Sequence, residues 1–419
     1  MQYTINSPVK LNANISLPAS KSISNRALII YALSGGRTLP QNLSDCDDTN
    51  VIIEAMRYMP EVIDIKAGGT AMRFMTAYLS VMRGTHTLTG TERMKHRPIG
   101  VLVDALRKLG AHIEYIGEEG VPPLRITGRK LEGGQLEIAG NVSSQYISAL
   151  LMIAPILEKG LELRLTGDIM SRPYIDLTLW MMREFGADAE WSAGDTISVK
   201  GQPYQSRDYF IENDWSGASY WYEMVALSAD RDATVQLSGL MDGSKQGDSV
   251  VKYIFSLLGV KTVFETKQDG RLQYVTLKKN GRHVPRLDYD FAGSPDLAQT
   301  LVVTCCMMGI PFHFRGLSTL KIKETDRIEA LKTEMGKLGF VLTDINGSEL
   351  KWDGTRTPAG TAGTHAVIDT YDDHRMALAF APVSMKQPVT INEPQVVSKS
   401  YPHFWETLRK AGFKITETK

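Results

Sequence analysis

The sequence has little of what marks several large classes of protein. Its 419 residues include only three cysteines, Cys46, Cys305 and Cys306, which are too few for a disulfide framework and predict a reducing compartment. The 47 Lys and Arg residues balance 47 Asp and Glu residues. This zero net charge argues against a general binder of nucleic acids or of anionic membranes.

Long hydrophobic runs are also missing. One long segment without Asp, Glu, Lys or Arg covers residues 297–314 and contains Gln299, Gly309 and Pro311. This composition is typical of a buried helix followed by a strand, and not of a membrane span. The first residues, MQYTINSP, have neither the basic nor the apolar segment of a secretory signal. We therefore expect a cytoplasmic protein with no membrane partner.

Motifs that hold common cofactors and metals are absent as well. The sequence contains no GxGxxG and no GxxxxGK[ST] loop, which argues against dinucleotide binding and P-loop chemistry. Its eight His residues form no HxH or HExxH pair, and the GxSxG elbow of hydrolases is missing. We therefore expect a protein that uses no metal and no cofactor.

A repeated helical unit organises what is present. Helices rich in small and apolar residues are each followed by an amphipathic helix, and the first helices begin near Ser20, Gly68, Ser143, Ser216, Ser294 and Asp372. Five of the amphipathic helices end in a glycine that fits a left-handed C-cap; these are Gly110, Gly186, Gly259, Gly339 and Gly412, spaced 73–80 residues apart. Units of this length suit an α/β module of the βαβαββ type.

The hydrophobic patterns of the helices limit how the modules can pack together. The all-apolar helices must be buried on every side, whereas the amphipathic ones are half exposed. Six modules could form one ring or two groups of three, with the charged segment 228–233 as a candidate crossover. Strands are expected at 111–115, 260–264 and 340–342, after the glycine caps.

Cations recur where they are unfavourable for a helix. Lys21, Arg26, Arg73 and Arg375 lie within the first turns of apolar helices, near the positive end of the helix dipole. Further cations cluster in loops at 93–97, 171–174 and 321–327 and at Lys399. Bound anions would explain this recurrence, because helix N-termini bind phosphate and carboxylate groups. The residues alone thus indicate a metal-free enzyme or binder acting on phosphorylated or carboxylated small molecules.

Eight motifs in order give the chain a specific resemblance. They are LPASKSISNRAL, GGTAMR, RMKHRPIG, SSQY, SRPYIDLT, KIKETDRI, DDHRMA and SKSYPHFW, and they span essentially the whole sequence. Together they resemble the 5-enolpyruvylshikimate-3-phosphate synthase family of enolpyruvyl transferases. The resemblance implies a monomer with two lobes, an inside-out α/β barrel of six modules with three modules in each lobe. One lobe would cover residues 16–233, and the other 1–15 with 234–419.

The resemblance also implies a reaction. The 5-hydroxyl of shikimate 3-phosphate would attack C2 of phosphoenolpyruvate while C3 is protonated, and the intermediate would then lose phosphate. This is a step of the shikimate pathway toward chorismate and the aromatic amino acids. The chemistry needs two carboxyl groups in different protonation states. By resemblance, three residues are catalytic: Asp296 accepts from the hydroxyl, Glu324 donates to C3, and Lys21 contacts both substrates.

The binding residues follow motif by motif. For shikimate 3-phosphate the resemblance implies Lys21, Ser22, Arg26, Ser143, Ser144, Gln145, Ser171, Asp296, Thr319 and Lys323. For phosphoenolpyruvate it implies Lys21, Gly69, Arg93, Gln145, Arg327, Arg375 and Lys399. Thr319 stands where the family usually has Asn, which leaves that one contact open.

Three alternatives remain beside this interpretation. A UDP-N-acetylglucosamine enolpyruvyl transferase would usually carry a Cys in the loop that corresponds to 93–97, and here there is none. An RNA 3′-phosphate cyclase shares the module but uses a nucleotide and a covalent His. A non-catalytic anion-binding protein would explain the cations, but not the pair Asp296 and Glu324.

Overall fold

The chain folds as two compact units. The computed structural model describes residues 1–266, 273–357 and 366–418. One unit, called here the discontinuous unit, consists of Met1–Pro18 and Glu212–Lys419, and the other, the inserted unit, is Ala19–Ile211. Each unit has its own hydrophobic core.

Helices and strands are interspersed along the described residues. The discontinuous unit begins with β1 (Gln2–Asn6) and β2 (Asn12–Ser16). The inserted unit contributes α1 (Lys21–Leu33), α2 (Asp47–Tyr58), β3 (Val62–Asp64), α3 (Gly69–Val81), β4 (Gly84–Thr89), α4 (Gly100–Lys108), β5 (His112–Tyr115), β6 (Leu124–Gly128), β7 (Gly134–Ala139), α5 (Ser144–Ile153), β8 (Leu161–Thr166), α6 (Arg172–Glu184), β9 (Ala189–Trp191) and β10 (Thr196–Val199). The discontinuous unit continues with α7 (Trp215–Leu227), β11 (Thr234–Ser238), α8 (Val251–Ser256), β12 (Val260–Thr266), β13 (Gln273–Lys279), β14 (Leu287–Asp290), α9 (Ala298–Met308), β15 (Phe312–Arg315), α10 (Arg327–Lys337), β16 (Thr343–Ile345), β17 (Glu349–Trp352), β18 (Ala366–Ile368), α11 (His374–Phe380), β19 (Val389–Asn392), α12 (Phe404–Lys410) and β20 (Lys414–Thr418).

The predicted βαβαββ module is confirmed. In the first sheet β3 pairs parallel with β4 across α3, with Val62 opposite Thr87, and β6 lies antiparallel between β4 and β5. The strand order β3-β4-β6-β5 recurs as β7-β8-β10-β9 and as β14-β15-β17-β16. The repeat seen in the sequence is therefore a repeat of topology, with a helix between each parallel pair of strands.

The first two strands of the chain complete sheets of the discontinuous unit. Strand β2 pairs parallel with β11, from Asn12 opposite Thr234 onward. It is an edge strand of the sheet β12-β13-β11-β2. Strand β1 lies antiparallel between β19 and β20, so Tyr3 faces both Ile391 and Glu417. The N-terminal strand thus belongs with the C-terminal modules, as the resemblance implied.

The module that contains α1 and α2, the first helices of the chain, departs from this pattern. Helices α1 and α2 form its helical pair, but the described segments that flank them contribute only one isolated bridge, Gln41 to Phe210, and no four-stranded sheet. Pro40 and Pro203 lie in these segments, and proline has no N–H to donate to a strand ladder. Five sheets, rather than six, are therefore present in the described part of the chain.

The boundaries between the units also differ from the expected ones. The crossovers fall after Pro18 and after Ile211, whereas residues 16 and 233 were expected. The reason is α7, which packs against α8 and α9 and so brings residues 215–227 into the discontinuous unit. A smaller correction concerns the strand expected at 340–342, which instead covers Thr343–Ile345.

Three buried helices lie at the centre of each unit. In the inserted unit α1, α3 and α5 pack on one another, and in the discontinuous unit α9 packs against both α7 and α11. Helix α3 is buried from Gly69 to Ser80, and α9 from Ala298 to Cys306. The five predicted glycine caps all have φ between 81° and 98°, which confirms the left-handed ends of the amphipathic helices. No helix in the described residues has the length and apolar character that a membrane span requires.

One core residue gives a stability prediction. Glu223 on α7 is fully buried, and burial raises the pKa of its carboxyl group well above the usual value. The hydroxyl of its neighbour Thr304, which also donates to the Thr300 carbonyl at 2.7 Å, lowers this pKa, but burial has the larger effect. Because Glu223 is ionised in the unfolded chain above about pH 4.3, folding takes up a proton, and stability falls as pH rises toward the folded pKa.

We therefore expect Glu223→Gln to be more stable than the parent protein at about pH 8, with a much smaller gain at about pH 5. Denaturant unfolding of both proteins at the two pH values measures the difference. Equal differences at both pH values would contradict a protonated Glu223 in the folded state.

Candidate active site

Three helix starts in the discontinuous unit bring acidic and basic side chains together. Asp296 lies in the 3₁₀ turn that leads into α9. Asp326 caps α10 by accepting the Ile328 and Glu329 amides, which makes Arg327 the first residue of that helix. Asp373 caps α11 by accepting the Arg375 amide at 2.9 Å. Helix capping by ordinary local chemistry thus fixes where these charges lie.

Arg327 is the centre of this cluster. Its side chain is 1 % exposed, and its Nε donates to Asp373 Oδ2 at 2.7 Å. Nη1 donates to Asp296 Oδ1 at 3.0 Å, and Nη2 donates to Glu324 Oε2 at 2.9 Å. Burial alone would lower the pKa of Arg327, but the surrounding carboxylates raise it. The guanidinium therefore stays charged and holds three carboxylates in fixed positions.

Asp296 is surrounded by cations. Its Oδ2 accepts from Arg375 Nη2 at 2.9 Å, and Lys323 Nζ lies 3.6 Å from Oδ1. Burial opposes ionisation of this carboxyl group, but Arg375, Lys323 and Arg327 outweigh burial and hold the pKa of Asp296 well below its usual range. While these three cations surround it, Asp296 is a carboxylate of very low basicity.

Two further predicted residues lie in the discontinuous unit. Lys399, at the end of the 3₁₀ segment Pro394–Lys399, donates to the Asp372 carbonyl oxygen at 2.5 Å. The hydroxyl of Thr319 is buried and has no hydrogen-bond partner within the described residues. A buried polar atom without a partner is costly unless something binds it, so Thr319 is compatible with a ligand contact.

In the inserted unit, the start of α1 holds a second set of predicted residues. Ser20 caps the helix, and Lys21 Nζ lies 3.4 Å from Asp48 Oδ2. Arg26 is 3 % exposed and donates to the hydroxyls of Thr178 and Ser148, at 2.7 and 3.1 Å. Burial lowers the pKa of Arg26 to about 10. Arg26 thus ties α1 to α5 and α6, a packing role that the motif did not reveal.

Serines open two other helices of this unit. Ser143 caps α5 by accepting the Gln145 amide at 3.3 Å, and Ser144 is the first residue of the helix. Ser171 precedes α6 with a left-handed backbone, at φ 55°. The amide of the Gln145 side chain donates to Thr70 Oγ1 at 3.0 Å, which joins the start of α5 to the start of α3.

At the start of α3, two arginines lie close to Gly69. A Cβ added to Gly69 would lie 2.6 Å from Arg97 Nη1 and 3.0 Å from Arg73 Nη1. Arg73 donates to the carbonyl oxygens of Gly69 and Pro98, at 2.9 and 3.2 Å. Arg93, the predicted residue, is exposed. The guanidinium that approaches Gly69 is therefore that of Arg97, four residues later in the same RMKHRP motif.

Gly69→Ala gives a test of this geometry. We expect the variant to fold, because the atom it would strike is the end of a flexible side chain. Displacing Arg97 should raise the KM for phosphoenolpyruvate about tenfold or more and leave the KM for shikimate 3-phosphate nearly unchanged. Gly117→Ala is the matched control, because nothing lies within 4 Å of its added Cβ. An equal loss for both substrates would indicate a general defect instead.

Sequence reasoning had missed Asp373 and Arg97 as site residues. The adjacent acids of the DDHR motif and the second arginine of the RMKHRP motif were the available signals. Neither motif says which of its two like residues contacts Arg327 or approaches Gly69, because that depends on the helix start and on the turn before it.

Known proteins share the fold. An EPSP synthase from Acinetobacter baumannii superposes with a TM-score of 0.79 at 22% identity, covering 99% of this chain and all of that one. The enolpyruvyl transferase NikO from Streptomyces tendae gives a TM-score of 0.74 at 15% identity, covering all of this chain and 98% of that one. At these identities the likeness concerns the fold alone.

Sequence comparison establishes the family. The chain is 59% identical over 416 residues to the 3-phosphoshikimate 1-carboxyvinyltransferase of Bacteroides fragilis strain ATCC 25285, with 99% of each chain covered. It is 36% identical to the enzyme of the same name from Photobacterium profundum, over 95% of this chain and 96% of that one. The family model described as EPSP synthase (3-phosphoshikimate 1-carboxyvinyltransferase) matches residues 5–63 and 58–408. The chain belongs to the EPSP synthase family.

Proposed function

We propose that the chain transfers the enolpyruvyl group of phosphoenolpyruvate to the 5-hydroxyl of shikimate 3-phosphate and releases inorganic phosphate. The hydroxyl oxygen forms a bond to C2 of phosphoenolpyruvate, and C3 gains a proton. The tetrahedral intermediate then expels phosphate and loses a proton from C3, which restores the double bond. Atoms and charges balance without a metal or a redox partner.

One observation carries this proposal. Asp296 and Glu324 both accept hydrogen bonds from the single buried guanidinium of Arg327. The reaction needs one carboxyl group to accept the hydroxyl proton and another to deliver a proton to C3. A pure anion-binding protein would have no use for two carboxylates among its cations, because they compete with the ligand for the same charges.

This competition explains how the carboxylates become reactive. Arg327, Arg375 and Lys323 keep Asp296 ionised and weakly basic in the absence of substrate. Phosphoenolpyruvate brings a phosphate and a carboxylate of its own. When these groups engage the cations, the pKa of Asp296 rises toward its usual range, and Glu324 is released from Arg327 to hold a proton. The anionic substrate thus prepares the acid and base that act on it.

The resemblance assigns further substrate-binding residues to the inserted unit. The free N–H groups at the start of α3, the guanidinium of Arg97 and the amide of Gln145 form a suitable set of donors for phosphoenolpyruvate. Lys21 and Ser22 at the start of α1, and Ser143 and Ser144 at α5, are the proposed donors to shikimate 3-phosphate. Arg93 stays a proposed ligand by resemblance, with Arg97 added to it on geometric grounds.

The decisive experiment is an assay of the purified protein. Phosphate release from phosphoenolpyruvate is measured with shikimate 3-phosphate, with UDP-N-acetylglucosamine and with buffer alone. We expect release only with shikimate 3-phosphate, together with a product heavier by one enolpyruvyl group in the mass spectrum. Release with UDP-N-acetylglucosamine would reassign the acceptor, and binding of phosphoenolpyruvate without release would indicate an anion-binding protein.

The cytoplasmic location and the monomeric state belong to the same proposal. Both are supported by the resemblance to a family of biosynthetic enzymes. Light scattering coupled to size exclusion measures the mass in solution, and a value near 46.5 kDa is expected. A mass of twice this value would overturn the monomer.

A further inference from the structure

The turn before α11 has an unusual backbone. Tyr371 and Asp372 have φ of 54° and 55°, so two consecutive residues with side chains adopt the left-handed conformation. Such residues are sterically disfavoured and persist only where surrounding contacts enforce them. Some other part of the molecule must therefore hold this turn.

Two contacts of the site depend on the turn. The carbonyl oxygen of Asp372 accepts the hydrogen bond of Lys399, and Asp373, the next residue, receives two bonds from Arg327. The amide of Asp373 donates to the Thr370 carbonyl at 2.8 Å, which closes the turn. A relaxation of either left-handed residue would redirect the Asp372 carbonyl and shift Asp373, and with it Arg327.

Two side chains of helix α10 form hydrogen bonds with the two ends of this turn. Arg327 and Glu334 are seven residues apart, about two helical turns, and so project from the same face. Arg327 binds Asp373, while Glu334, fully buried, accepts the Tyr371 hydroxyl at 2.6 Å through Oε1. Glu334 Oε2 accepts the Asp369 amide at 3.0 Å.

A lysine completes the anchor. Lys337 Nζ lies 2.7 Å from Glu334 Oε2 and 2.8 Å from Asp369 Oδ2. Burial, and then the bond to Glu334, raise the pKa of Tyr371, so its hydroxyl remains a donor at neutral pH. Tyr371 as a whole is 37 % exposed. Burial of its ring is therefore not the main contribution of Tyr371. Its main contribution is the hydrogen bond that its hydroxyl donates to Glu334.

We propose that Glu334 and Tyr371 are positioning residues for the transfer reaction, which hold the left-handed turn and thereby aim Lys399 and Arg327 at phosphoenolpyruvate. This inference rests on the proposed function. Neither residue belongs to the predicted ligands, and each acts through the backbone at 371–373. Removing the hydroxyl of Tyr371 frees the turn at one end while leaving Arg327 and Lys399 chemically intact.

The test compares Tyr371→Phe with the parent protein. We expect kcat/KM for phosphoenolpyruvate to fall about tenfold, the effect of losing one hydrogen bond to a charged group, while binding of shikimate 3-phosphate by calorimetry changes less than about twofold. Tyr58→Phe, at a tyrosine that is 69 % exposed, is the matched control. The thermal midpoint is measured for each variant.

A second substitution separates positioning from simple stability. Glycine adopts positive φ without steric cost, so adding Asp372→Gly to Tyr371→Phe should recover part of the lost kcat/KM. A Tyr371→Phe variant with full activity, or one whose activity loss only follows a lowered thermal midpoint and is not recovered by Asp372→Gly, would overturn the inference. A parent protein without transferase activity would instead overturn the proposed function.

Discussion

Glu324→Gln is expected to fold normally and to lose turnover by about a hundredfold or more, the usual contribution of a general acid. The amide has the shape of the carboxyl group, and its oxygen can still accept from Arg327 Nη2, as Glu324 Oε2 does at 2.9 Å. It cannot deliver a proton to C3 of phosphoenolpyruvate. Steady-state phosphate release with both substrates saturating measures the loss as kcat.

The matched control for this variant lies nearby in the sequence, on α10. Glu329→Gln, five residues later, removes an exposed carboxylate whose Oε2 lies 2.7 Å from Lys332 Nζ. It should keep the parental kcat, because a surface ion pair contributes little. A Glu324→Gln enzyme with near-parental kcat would remove Glu324 from the proton transfer.

Asp296→Asn is expected to impair turnover as strongly, and in addition to destabilise the protein. Asp296 compensates Arg375, Arg327 and Lys323, and removing one partner of a largely buried ion pair typically costs about 3 kcal/mol or more. Its depressed pKa means that this stabilisation is complete above about pH 4 and disappears only as pH falls through the much lower folded pKa. At neutral pH the whole loss should therefore be visible.

Added anion gives Asp296→Asn a distinctive signature. Inorganic phosphate can replace the missing negative charge among the three cations, so it should raise the thermal midpoint of the variant more than that of the parent protein. Shikimate 3-phosphate should still bind by calorimetry. If the variant no longer binds shikimate 3-phosphate at all, Asp296 is chiefly a binding residue and not the base.

Much of the fold was predictable because its signals are local. The small-residue helices, their amphipathic successors and the glycine caps each follow from hydrophobic periodicity and backbone sterics within about fifteen residues. The repeat at 73–80 residues then indicated the βαβαββ module, which the strand order of the sheets confirms. The candidate site was predictable only to the level of motifs: cations at helix starts indicated anion binding, and the individual site residues came from the resemblance.

The sequence by itself therefore determined the module, its helices and the motifs of the site. Only the tertiary structure decided that β1 pairs with β19 and β20, that α7 lies on the far side of the crossover at 211, and that Arg97 meets Gly69. It also joined Glu334 to Tyr371, 37 residues away. The physical reason is the range of the forces involved. Helix periodicity and capping act between near neighbours, whereas the partner of a strand or of a charged side chain is set by the packing that brings distant segments together.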